Sequence, residues 1–267
     1  MNALAARRRH PAAIAILLML GLLVTGFAYA AVAPQPAQAE SSTAQDVTAG
    51  KQLFLANCAS CHGVNAEGRV TGNGDKIAGP ALAGVGAAAV DFQMGTGRMP
   101  LREPGIQAER GDVQFSQKEI DQVAAYIASL APGPAVPSEE DVDPTKGDPG
   151  AGGELFRVNC AMCHNAAGAG GALTRGKYAP SLMGVEPKHI FEAMDTGPQS
   201  MPVFNDNNIE PKDKRDIIAF LTAIDEAPQQ GGHALGSLGP VTEGWFAWFF
   251  GLGLLVAAAV WLGQKSA

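Results

Sequence analysis

The chain has 267 residues, 46% apolar and 17% charged, and its 26 acidic and 19 basic side chains leave a net charge of −7. At roughly 100–200 residues per domain, this length predicts two domains. Without a basic surplus there is no phosphate-neutralising footprint, so nucleic acid is excluded as a partner. The mean hydropathy of +0.04 averages unlike parts. Residues 1–45 and 228–267 hold six charged side chains in 85 positions, whereas residues 131–150 alone carry −4.

Arg7, Arg8 and Arg9 precede an uncharged apolar stretch from Pro11 to about Ala33. About 20 such residues span the roughly 30 Å hydrocarbon layer as a helix, with the basic cluster held on the cytoplasmic side and the chain beyond it exported. Residues 1–39 are therefore expected to be a membrane anchor or a cleaved signal segment. Ala28-Tyr29-Ala30 and Ala37-Gln38-Ala39 both fit a small-x-small cleavage pattern, although the stretch exceeds the usual signal core of about 7–15 residues.

Residues 46–130 and 151–227 read as two copies of one domain. Gly50-Lys51-Gln52-Leu53-Phe54 through Cys58-Ala59-Ser60-Cys61-His62 returns as Gly152-Gly153-Glu154-Leu155-Phe156 through Cys160-Ala161-Met162-Cys163-His164, offset by 102. Pro80-Ala81-Leu82 matches Pro180-Ser181-Leu182 at 100, Met99-Pro100 matches Met201-Pro202 at 102, and Ala125-Tyr126-Ile127 matches Ala219-Phe220-Leu221 at 94. Landmarks keep their order while loops change length, as a duplicated domain should. Ser116 and Glu119 form a capping-box pattern ahead of Ile120, Val123, Ala124, Ile127 and Leu130 at helical spacing; Ile217, Ile218, Leu221 and Ile224 repeat the stripe. No stretch alternates with period two, and the predicted fold class is all-α. Between the copies, residues 131–150 contain five prolines with Glu139, Glu140, Asp141 and Asp143, a composition expected to form an extended acidic linker. Residues 228–243 form a juxtamembrane segment. Gly244 to Gly263 is then uncharged, with Trp245 and Trp248 at one end, Trp261 at the other and Lys265 beyond, the pattern of a transmembrane helix with interfacial aromatics and a snorkelling lysine.

All four cysteines lie in two Cys-x-x-Cys-His motifs, Cys58/Cys61/His62 and Cys160/Cys163/His164. This is the attachment pattern of c-type haem, in which two thiols add to the porphyrin vinyl groups and the next imidazole reaches the iron. A thioredoxin-like pair would need a βαβ context, a zinc site would need four ligands per copy, and a disulfide across two residues closes too small a loop to stabilise much. Each copy has roughly 80 residues, marginal for a core of side chains alone, and a covalent porphyrin would fill that deficit. For the opposite face of each iron, Met99 and Met201 each follow their histidine by 37 residues and sit before a proline in a Gly-containing loop. Met94 and Met194 also repeat, in stretches expected to be helical, and the alternative for any of the four is a core filler. His/Met ligation would saturate the iron and raise its potential, suiting electron transfer rather than substrate binding.

Each copy resembles a class I cytochrome c, with a first helix ahead of the haem motif, a Pro-Leu segment, a Met-Pro loop and a C-terminal helix bearing an aromatic. The resemblance implies crossed terminal helices, setting Phe54 near Tyr126 and Phe156 near Phe220. It also implies that the Pro80 and Pro180 carbonyls hold the Nδ1 protons of His62 and His164, a contact that fixes the ring and tunes its basicity. The whole layout, including the tail from Gly239 to Trp245, resembles the dihaem cytochrome c subunits of actinobacterial cytochrome bcc complexes. That family implies two covalently bound haem c groups, a cytochrome b subunit, a Rieske iron–sulfur subunit and a haem–copper terminal oxidase as partners, and haem domains on the outer face of the plasma membrane. It implies a proton-translocating menaquinol–cytochrome c oxidoreductase in which this chain carries electrons and has no acid or base catalyst. An independent membrane-anchored dihaem carrier and a dihaem peroxidase are the alternatives.

Overall fold

The computed structural model describes residues 11–32, 43–71, 76–227 and 240–265. The Arg7–Arg9 cluster, the Ala37-Gln38-Ala39 site, the Lys265 side chain and most of the juxtamembrane segment lie outside what is described. The chain divides into two units, one ending at Gln38 and one beginning at Ala39. In the first unit, α1 (Pro11–Val32) carries exposed Ile14, Leu17, Leu18 and Phe27, with no acid in its first turn and no base in its last.

The second unit contains both cytochrome-like domains. In the first, α2 (Ala44–Asn57) starts at a Thr43/Asp46 capping box, α3 (Ala59–His62) is one turn carrying the motif histidine, α4 (Gly86–Gly95) follows, and α5 (Gln117–Leu130) closes the domain. The Ser116 backbone N–H donates to the Glu119 carboxylate at 2.9 Å, as the capping pattern requires, and the Ser116 hydroxyl donates to the same carboxylate at 2.8 Å. Ile120, Val123, Ala124 and Ile127 are buried together, while Leu130, at the helix end, stays 37% exposed. In the second domain, α7 (Pro149–Asn159), α8 (Ala161–His164), α9 (Pro187–Thr196) and α10 (Pro211–Glu226) repeat the order, with α6 (Glu139–Val142) in the connecting segment.

The terminal helices of each domain cross at a glycine. A Cβ on Gly50 would run into the Gln122 carbonyl, and one on Gly152 into the Asp216 carbonyl, so backbones meet where a side chain would hold them apart. Beside each crossing an aromatic pair packs: Phe54 with Tyr126 at 5.3 Å between ring centroids, and Phe156 with Phe220 at 5.4 Å. Such tilted pairs contribute about 0.5–1.5 kcal/mol beyond their buried area.

Two features depart from the sequence reading. Short antiparallel pairs, β1 (Arg69–Thr71) with β2 (Lys76–Gly79) and β3 (Gly171–Ala172) with β4 (Tyr178–Ala179), interrupt the helices. With two to four residues each, they are too short to show a two-residue period. The linker is not a free extended spacer. Ser138 and Asp141 cap α6, Asp143 caps a 3-10 turn at Pro144–Lys146, and Asp148 caps α7. Asp141, Asp143 and Asp148 thus satisfy N–H groups at helix starts. The Pro134 carbonyl accepts from Ala88 N–H in the first domain, and the Glu140 carbonyl from Arg215 in the second.

At the C-terminus, α11 (Pro240–Phe246), a π-helical segment (Ala247–Leu252) and α12 (Gly253–Lys265) form one continuous helix. Its Thr242–Gln264 stretch is long and apolar enough to cross a membrane. Trp245 stacks on Phe249 and Phe246 packs tilted against Phe250, gathering aromatics at the end nearest the cytochrome domains in sequence.

Candidate functional site

The one-turn helices α3 and α8 present Cys-x-x-Cys-His. His62 N–H and His164 N–H each bond the carbonyl of the first cysteine, at 2.9 Å in both copies. The strands β2 and β4 end immediately before Pro80 and Pro180, returning those carbonyls to the histidines. His62 Nδ1 is 2.8 Å from Pro80 O, and His164 Nδ1 is 3.0 Å from Pro180 O. A carbonyl only accepts, so Nδ1 carries the proton and Nε2 keeps its lone pair. Burial lowers the His164 pKa, against the opposing hydrogen bond to Pro180, and the ring is neutral at pH 7. A neutral imidazole with a fixed tautomer is the form that binds metal.

None of the four cysteines is in a disulfide. Burial, then the Cys163 sulfur, pushes the Cys160 thiol up to about 11, and the same causes in the same order raise Cys58.

In the second domain Cys160, Cys163, His164 and Met201 line one cleft, otherwise walled mainly by Phe156, Leu182, Ile190, Ile217 and Leu221, with about 1310 Å³ of space free of protein atoms, part of it open to solvent. An apolar cleft lined by two thiols, an oriented imidazole and a thioether fits a covalently held haem. Met194 also lines it but is buried on α9, whereas Met201 is half-buried on the following loop. In the first domain Met94 is buried on α4, and Met99 is half-buried against that core.

The sequence reading missed the contact between the domains. Asp91 on α4 is 1% exposed and Glu192 on α9 is fully buried. Lys188 Nζ is 2.7 Å from Asp91 Oδ2, Gln117 donates to Asp91 Oδ1 at 2.7 Å, and His189 Nδ1 is 2.9 Å from Glu192 Oε2. Burial would raise the Asp91 pKa, but hydrogen bonds from Glu192, Lys188 and Gln117 hold it below the ordinary carboxylate range. Burial, then Asp91, pushes Glu192 up to about 10. Two buried carboxyls this close resist double ionisation, and burial together with Asp91 holds Glu192 toward its neutral form. Oxygen and nitrogen atoms of Asp91, His189 and Glu192 lie within 4.8 Å of one another, a grouping able to hold a cation; the Lys188 ammonium supplies one.

Fold and motifs together define a protein of two cytochrome c domains in tandem, followed by an apolar helix. Residues 47–131 match the family described as Cytochrome c, and residues 147–221 the family described as Cytochrome C oxidase, cbb3-type, subunit III. Among similar proteins is the cytochrome bc1 complex cytochrome c subunit of Corynebacterium diphtheriae, 41% identical over 97% of this chain and 95% of that protein. Those of Corynebacterium efficiens, 40% identical over 97% and 90%, and Mycobacterium tuberculosis, 42% over 94% and 90%, are comparably similar. The chain belongs to the family of cytochrome bc1 complex cytochrome c subunits, components of a membrane-bound respiratory oxidoreductase.

Proposed function

We propose that each domain holds one haem c through thioethers, at Cys58 and Cys61 and at Cys160 and Cys163, with His62/Met99 and His164/Met201 as axial ligands. Electrons enter from the Rieske iron–sulfur subunit, which receives them from quinol oxidised at cytochrome b, and leave for a haem–copper oxidase. The haem domains lie on the outer face of the plasma membrane, tethered by residues 244–263. The domain limits are 46–130 and 151–227.

The convergence of Cys160, Cys163, His164 and Met201 on one apolar cleft carries this reading. When bound, haem supplies a one-electron iron couple. The Pro180 carbonyl keeps the imidazole aimed and basic, and Met201 closes the opposite side. Apolar walls exclude water and disfavour the more highly charged oxidised state. With His and Met both holding the iron, a bound haem would have no position open for peroxide.

The assignment to the complex is tested by purification in mild detergent with subunit identification by mass. Cytochrome b and Rieske protein should accompany this chain. A chain that emerges alone, with both haems, is an independent carrier instead.

A further inference from the structure

The second cleft is not built by the second domain alone. Phe92, Thr96, Arg98, Gln107 and Arg110, all from the first domain, line it. The repeat offset falls from 102 at the Met-Pro pairs to 94 at the last helices, making the first copy's connection eight residues longer, and that connection reaches across. Gln107 docks on β4 like a strand partner: its Nε2 donates to Tyr178 O at 2.9 Å and its Oε1 accepts from Tyr178 N at 3.0 Å. Ala108 N–H donates to Gln199 Oε1 at 3.3 Å, and Arg102 pairs with Asp112 at 2.9 Å within the connection.

Among the described residues lining this cleft, the two with permanent charge are Arg98 and Arg110. The second domain contributes thiols, imidazoles, amides and hydroxyls there, but no Lys, Arg, Asp or Glu. Arg98 lies with its guanidinium carbon 4.9 Å from the Phe92 ring centroid. Arg110 lines the same cleft, and among the described residues no carboxylate pairs with either guanidinium. A dianionic ligand edge would relieve that arrangement, and a haem carries two carboxylates.

We propose that the first domain completes the second haem site, with Arg98 and Arg110 as positioning residues for the haem propionates and Gln107 as the latch that holds their loop in place. The proposal rests on haem binding at Cys160 and Cys163. A guanidinium beside the haem favours the reduced iron, because oxidation adds positive charge there; losing it lowers that haem's potential.

The test is a redox titration of the detergent-purified complex, with the second haem's spectral transition assigned from a Met201→His variant. Arg110→Gln, distant in sequence from the first domain's Met99, should shift electron sharing between the two haems about three- to tenfold toward the first, the effect of one largely water-screened charge. Arg110→Lys should restore most of the shift. Two bound haems with both potentials unmoved, or with only the first moved, would overturn the proposal. Wild-type protein with fewer than two haems would instead overturn the reading beneath it.

Discussion

Replacing Cys160 and Cys163 together by alanine is expected to halve the covalent haem, from two groups per chain to one, and to leave the second domain unable to fold stably. The domain is short, and its buried core of Phe156, Ile190, Phe191, Met194, Ile217, Ile218 and Leu221 is built around the cleft rather than across it. Domains of this size bury too little surface to be comfortable alone, and an empty apolar cleft forfeits contacts on every wall. A haem held only by His164 and Met201 would be free to dissociate once the thioethers were gone. Denaturing gels stained for haem, with pyridine haemochrome spectra, read the stoichiometry. Limited proteolysis should then remove residues near 150–227 while sparing the first domain. Retention of two covalent haems would show that those cysteines are not the attachment points.

Gly152→Val is expected to destabilise the second domain by about 3 kcal/mol, the upper end of ordinary overpacking, because the nearest obstacle is the Asp216 backbone and not a movable side chain. At roughly 4–8 °C per kcal/mol for a domain this small, the midpoint should fall on the order of 15 °C. Glu154→Val, on the exposed side of the same helix, introduces the same β-branched residue without meeting the partner helix and should cost under about 1 kcal/mol. Thermal melts followed by the haem absorbance separate the two. Equal effects would mean that the cost lies in helix propensity, and that close approach at the crossing is not what selects glycine.

Much of this was legible because it is local or repeated. The capping pair Ser116/Glu119 and the spacing of Ile120, Val123 and Ile127 each specify geometry within a few residues, and the duplicated cysteine motif marks both candidate sites. The Phe54–Tyr126 and Phe156–Phe220 pairs followed from likeness to class I cytochromes c, not from periodicity. What escaped is non-local. Nothing near Asp91 in the chain announces that Lys188 and Glu192 will surround it. The strands before Pro80 and Pro180 are too short for any pattern to register. The acids of the linker looked repulsive in sequence because their use as helix caps at Ser138–Asp141, Asp143 and Asp148 depends on turns not yet formed. One signal was available and unused: the drop in repeat offset that marks the connection from Pro100 to Phe115 as an insertion with its own purpose.

Rapid mixing of the purified complex with a reduced menaquinone analogue, followed at the c-type haem absorbance, tests the central claim most directly. The account predicts that two haem equivalents per chain become reduced, in low-spin form throughout, and that blocking quinol oxidation at cytochrome b abolishes the signal. Reduction of a single equivalent, a high-spin haem that binds added peroxide, or reduction indifferent to the block would contradict it.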